Sequence, residues 1–226
     1  MEKEKINFKL YEYEQKFWNE KLLICGIDEV GRGCLAGPVV TSAAILHPNS
    51  YHPKLMDSKL LKQENMLEVY QWLMQNCNYT IAINSPRIID EINIYKATQL
   101  TMKNALLHLL ATSQILPSLI LIDAMPLLLT NTPYDTITRE SLIKGESKSA
   151  SIAAASIIAK VTRDRILQRI HTSFPHYNLK QHKGYATAEH RQMIKQHGTS
   201  IIHRKTFLKN IIENQKDLHE QTSIFS

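Results

Sequence analysis

The sequence predicts an α/β fold, five strands with helices between them and a helical C-terminal part. Three observations predict it. Stretches at 22–27, 39–46, 79–84, 119–122 and 136–143 have strand length and apolar or β-branched character. The stretches 60–76 and 88–111 carry apolar residues at helical intervals instead. Beyond residue 143 only helical patterns follow.

At 226 residues the chain can bury one substantial core, which predicts a single domain over 1–226. Its core is expected at 22–170, a helical part at 171–215 and a mobile tail at 216–226. With 43% hydrophobic and 21% charged residues and no linker or repeat, the composition is that of a globular protein. Lys plus Arg exceed Asp plus Glu by 27 to 21, which suits a polyanionic partner or simply a basic protein. Cys25, Cys34 and Cys77 have neither metal-ligand spacing nor an even count, so a reducing cytoplasm is expected. No segment resembles an export signal. The longest apolar stretch, near 119–129, is broken by Asp123 and Pro126, so no membrane association is expected. A monomer is expected.

In chain order, Leu10, Tyr11, Glu14, Phe17 and Trp18 mark a short amphipathic helix packed on the core as a lid. The strand at 22–27 stops at two adjacent carboxylates, Asp28 and Glu29, followed by Gly31, Arg32, Gly33 and Gly37. Three of the chain's seven glycines fall here. Glycine lets a ligand approach the peptide plane, and Arg32 makes an anionic ligand the expected one. After the 39–46 strand comes a loop, then Asp57-Ser58-Lys59, where Asp57 or Ser58 can cap the helix at 60–76. Pro86 is placed to begin the next helix, and Asp90, Glu91 and Asn93 read as caps and turn residues. Four apolar residues, 119–122, describe a strand covered on both faces, and Asp123 follows at once. A buried unpaired carboxylate is costly, so Asp123 either emerges in a turn, pairs with a cation or binds metal. Ligands gather at the carboxyl ends of strands in α/β sheets, which brings Asp123 and Asp28 to one place. Lys144-Gly145-Glu146 precedes a helix rich in small residues from Ala150, suited to close packing on a sheet.

The string Asp28-Glu29-Val30-Gly31-Arg32-Gly33 with Leu35-Ala36-Gly37-Pro38-Val39-Val40 resembles the opening signature of ribonuclease HII, the type 2 ribonuclease H family. Later blocks agree in order and spacing: Asp57-Ser58-Lys59, Asp123, the helix at 151–164, His182-Lys183-Gly184-Tyr185 and His203-Arg204-Lys205-Thr206-Phe207. The resemblance covers 22–210. It implies a ribonuclease H-like mixed five-stranded sheet flanked by helices, with a C-terminal helical extension. It implies hydrolysis of the RNA strand of RNA–DNA hybrids, and cutting 5′ of single ribonucleotides in duplex DNA, leaving 5′-phosphate and 3′-hydroxyl ends.

By the same resemblance, Asp28, Glu29, Asp123 and Glu146 are the catalytic acids. All-oxygen donors suit Mn2+ or Mg2+, with two ions per site. Gly31, Arg32 and Gly33 would feel the 2′-hydroxyl with their backbone, Tyr185 would lie on the neighbouring deoxyribose, and Ser58, Lys59 and Lys183 would contact the substrate. Three departures stand out: Glu146 where the family usually has aspartate, Ala124 where glycine is frequent, expected to be tolerated as nearly as small, and Thr206 in place of serine. The alternatives are a type 3 ribonuclease H-like enzyme, against which Arg32 and the short N-terminal segment argue, and a catalytically weak hybrid-binding protein.

Overall fold

The computed structural model of the chain describes residues 5–113 and 115–209. The end of the helical part expected at 171–215, beyond 209, and the tail expected at 216–226 lie outside the described residues. The strands are β1 (Ile24–Val30), β2 (Val39–Leu46), β3 (Cys77–Asn84), β4 (Leu119–Asp123) and β5 (Thr138–Leu142). They form one mixed sheet in the order β3-β2-β1-β4-β5. β1 runs antiparallel to β2, with Ile27 opposite Ala43 and Glu29 opposite Thr41. It runs parallel to β4, with Ile27 beside Ile122, and β4 runs parallel to β5, with Asp123 beside Leu142.

The helices are α1 (Glu12–Asn19), α2 (Gln63–Asn76), α3 (Pro86–Ile92), α4 (Ile94–Thr112), α5 (Ala150–Ser173), α6 (Leu179–His182) and α7 (Ala188–His197). The described residues fall into two compact units. One takes in 5–30, 40–83, 98–113 and 115–162, the other 31–39, 84–97 and 163–209.

In the first unit, alternate residues of β2 serve two apolar layers, as the pleat requires. Ala44 and Leu46 pack with Tyr11, Trp18, Val69 and Ile158, while Ala43 and Ile45 pack with Met102, Leu106, Ile120 and Ile122. The close approach of α5 to the sheet depends on Gly26. A Cβ there would lie 2.1 Å from the carbonyl carbon of Ser151. The N-terminal segment is fixed to the same helix by a buried carboxylate. Glu14 Oε1 accepts hydrogen bonds from Ser149 Oγ at 2.6 Å and from the Ser151 N–H at 2.9 Å, placing negative charge at the positive end of α5. Tyr11 and Trp18 are buried beside it, so the expected packing of this helix on the core is observed.

Several boundaries differ from expectation. β1 continues through Asp28 and Glu29 to Val30, because Ser42, Thr41 and Val40 of β2 pair with those residues. Asp28 therefore lies within a strand rather than at its end. α2 starts at Gln63 with no side-chain cap: Asp57 Oδ1 accepts the Lys59 N–H and Ser58 bonds elsewhere. Pro86 does open α3, capped by Ser85. Asp90 is structural, taking the N–H groups of Lys205 and Thr206 and the Thr206 hydroxyl. Thr206 keeps that contact through the oxygen it shares with the usual serine.

Candidate active site

The first unit gathers the predicted acids through strand register. Asp28 and Asp123 follow the paired residues Ile27 and Ile122 on adjacent parallel strands, so the two carboxylates lie side by side. Glu146 comes from a 3₁₀ turn, Gly145–Ser147, tied to β4 by the Gly145 N–H, which donates to Asp123 Oδ1 at 2.7 Å. Gly145 is required there: a Cβ would meet Ile152 Cδ1 at 2.6 Å and Asp123 Oδ1 at 3.3 Å.

Asp28 and Glu146 are buried, whereas Glu29 and Asp123 are half-buried. Burial first, and then the neighbouring Glu29, push the Asp28 carboxyl well above the ordinary aspartate range, against a hydrogen bond from Ser156. Burial and the adjacent Glu146 likewise raise Asp123. Glu146 moves the other way. Burial opposes its ionisation, but the Lys59 ammonium, 2.7 Å from Oε1, outweighs that and lowers it. Lys59 is raised in return by the same bond. Ser58 Oγ lies 2.9 Å from Ser156 Oγ, so a hydroxyl pair leads from the Asp-Ser-Lys segment to Asp28.

The donor set fits hard divalent cations. Every donor is a carboxylate oxygen, Asp28 and Asp123 repel neighbouring charge, and Glu146 Oε2 is buried without a hydrogen-bond donor. Among the described residues, however, no group of three or more His, Cys, Asp or Glu side chains stands ready to hold a metal ion. The Lys59 ammonium and the N–H groups of Gly145 and Glu29 each take one carboxylate oxygen of Glu146, Asp123 and Asp28 respectively.

The second unit carries the glycine loop and Tyr185. Gly31 has φ +93° and Gly37 φ +83°; at both, a Cβ would strike the side chains of Arg163 or Leu167. Gly33 is different: its φ is not left-handed and a Cβ would meet nothing within 4 Å. Among the described residues, nothing calls for glycine there. Tyr185, 42% exposed, pairs with Cys34 as an isolated β-bridge and lies under the Arg163 guanidinium, 5.9 Å from its ring centroid. The Lys183 ammonium donates to the Lys180 carbonyl, and the Lys183 carbonyl accepts from Arg163.

Behind Tyr185 lies a histidine chain. The Tyr185 carbonyl accepts from His190 Nδ1, and His190 Nε2 is 3.3 Å from His203 Nε2. His203 Nδ1 accepts the Ser200 N–H. These bonds specify one neutral tautomer for each ring. Burial draws His190 and His203 down to about 4 each.

Sequence reasoning passed over Ser156, Arg163 and Arg204. Ser156 stood among alanines, and both arginines stood in charged stretches; the only available signal was their place inside family-like blocks.

The mixed sheet, with Asp28 and Asp123 side by side on neighbouring strands, has the architecture of a ribonuclease H-like protein. The structure of ribonuclease H2 from Pyrococcus horikoshii OT3 superposes with a TM-score of 0.70 at 24% identity, over 85% of this chain and 98% of that one. Bst-RNase HIII in complex with Mn2+ superposes with a TM-score of 0.66 at 21% identity, over 87% and 71%. The ribonuclease HII family profile matches residues 25–210. Ribonuclease HII of Macrococcus caseolyticus is 42% identical over 214 residues, 92% of this chain and 77% of that protein. The chain therefore belongs to the ribonuclease HII family and is a hydrolase that cleaves RNA in RNA–DNA hybrids. Among the described residues no helix is long and apolar enough to cross a membrane.

Proposed function

We propose that this enzyme cuts the RNA strand of hybrids and also nicks duplex DNA 5′ of a single embedded ribonucleotide, leaving 5′-phosphate and 3′-hydroxyl ends. The observation that carries this reading is the side-by-side placement of Asp28 and Asp123 on adjacent parallel strands, in a chain of this family. Asp28, Glu29, Asp123 and Glu146 would hold Mn2+ or Mg2+, two ions per site. Such ions, when bound, supply Lewis-acid activation of water and of the scissile phosphate. Ser156 and Ser58 orient Asp28. Lys59 holds Glu146, and with Glu146 engaged on a metal its exposed ammonium would be available to a phosphate. In the second unit the Gly31-Arg32-Gly33 backbone reads the 2′-hydroxyl, the group by which RNA differs from DNA. Tyr185 presents its ring to the adjacent deoxyribose, and Arg32 and Lys183 add phosphate contacts that weaken with salt. Its reduced, buried cysteines suit a cytoplasmic enzyme removing ribonucleotides from replicated DNA.

The test is cleavage of a duplex holding one ribonucleotide, with Mn2+ and with Mg2+. Nicking 5′ of the ribonucleotide is expected. No cutting with either metal favours a hybrid-binding protein, and cutting of hybrids with indifference to the single ribonucleotide favours type 3 behaviour.

A further inference from the structure

Arg204 is fully buried, and the four hydrogen bonds of its guanidinium all go to main-chain oxygens. Nη2 donates to Gly31 O at 2.6 Å and Nη1 to Arg32 O at 2.7 Å. Nε and Nη2 donate to Gly37 O at 3.1 and 2.9 Å. Within a trans peptide unit the C=O and the following N–H point in opposite directions. Pinning the carbonyls of Gly31 and Arg32 therefore turns the N–H groups of Arg32 and Gly33 away from the guanidinium. The Gly33 side of the loop is the one where a Cβ would meet only open space, so a ligand can come against the peptide there.

The guanidinium also carries charge. Burial draws Arg204 down to about 10, which leaves it ionised at neutral pH. A cation on the carbonyl side of a peptide polarises the unit and strengthens its N–H as a donor. Arg163 braces a different part of the loop, donating to Pro38 O, Ala36 O and Lys183 O. The two buried arginines thus divide the work, and Arg204 is the one that grips the Gly31 and Arg32 carbonyls.

We propose that Arg204 is a positioning residue for ribose recognition: it aims and polarises the Arg32 and Gly33 amides toward the 2′-hydroxyl without touching substrate. This rests on the ribose-reading role given to that loop above. The experiment compares wild type, Arg204→Lys and Arg204→Gln, each checked for fold by far-UV circular dichroism. Affinities are measured without metal for two duplexes of one sequence, all-DNA and with a single ribonucleotide.

Wild type is expected to prefer the ribonucleotide duplex. In a folded Arg204 variant that preference should fall at least fivefold, with all-DNA affinity changed less than twofold and the Gly33 amide resonance no longer shifted by the ribonucleotide duplex alone. Undiminished preference in a folded variant overturns the proposal, as does loss of fold in both variants, which would make Arg204 a structural brace only. Absence of preference in wild type instead overturns the ribose-reading role itself.

Discussion

Lys59 Nζ lies 2.7 Å from Oε1 of Glu146, an exposed lysine holding a buried carboxylate, with side-chain exposures of 74% and 5%. Burial opposes ionisation of Glu146 and the lysine overrides it. In Lys59→Met the carboxyl keeps its burial and its neighbour Asp123 but loses its cation, so it takes up a proton more readily. The acid limb of the pH–rate profile should move to higher pH and turnover should fall by roughly tenfold at neutral pH. An acid limb that stays in place would remove Lys59 from this role.

Asp28→Asn should be inactive yet more stable than wild type without divalent metal. A carboxyl raised in the folded state keeps its proton better there than in the unfolded chain. Stability is then greatest below the unfolded value and is lost as pH rises through the folded one. Removing that buried charge should gain about 1–3 kcal/mol at pH 7, seen in thermal melts with chelator present. Excess Mn2+ should raise the melting temperature of wild type but much less that of Asp28→Asn. Equal metal shifts in both would take Asp28 out of the binding set.

Ala124 follows Asp123 with φ +49°, so the glycine frequent at this place in the family answers a backbone need rather than a need for small size. A left-handed alanine costs about 1–2 kcal/mol, while glycine adds about 0.4–1 kcal/mol of unfolded-chain entropy. Ala124→Gly should thus stabilise by about 0.5 kcal/mol with hybrid cleavage near wild type, measurable by denaturant titration. Destabilisation would contradict this accounting.

Two glycines should respond oppositely to alanine. Gly26→Ala drives a Cβ into the backbone at the start of α5 and should cost more than about 3 kcal/mol, because a helix cannot yield as a side chain does. Gly33→Ala meets nothing in the free protein, so its melting temperature should hardly change while cleavage at a single ribonucleotide drops. Unimpaired cleavage by Gly33→Ala would mean that no ligand approaches there.

His190 and His203, drawn down to about 4 by burial, should stay neutral and show unshifted ring proton resonances from pH 7.5 to 5. A folded value below the unfolded 6.5 means that their contribution is complete above pH 6.5. It is lost as pH falls toward 4, by up to about 3 kcal/mol per ring. Titration of either ring near 6.5 would refute the burial of this neutral histidine pair.

Strand positions and the acids Asp28 and Asp123 were legible because two-sided burial writes apolar runs that a carboxylate then interrupts. The extent of β1 was not legible: what carries it past Asp28 is pairing with Val40, Thr41 and Ser42, a partner distant in sequence. The same holds for Ser58, which resembles a cap but bonds to Ser156, 98 residues away. The guanidinium of Arg204 sits between Lys205 and His203 in a basic stretch that reads as solvated surface, yet it is fully buried, and only backbone oxygens from 31–37 reveal why.

Glu14 has a consequence for any shortened version of this enzyme. A chain trimmed to begin at Ile24 would keep all four acids, the glycine loop and every strand. It would lose the anion that seats the first turn of α5, the helix bearing Ser156. The N-terminal helix is therefore part of the foundation under Asp28.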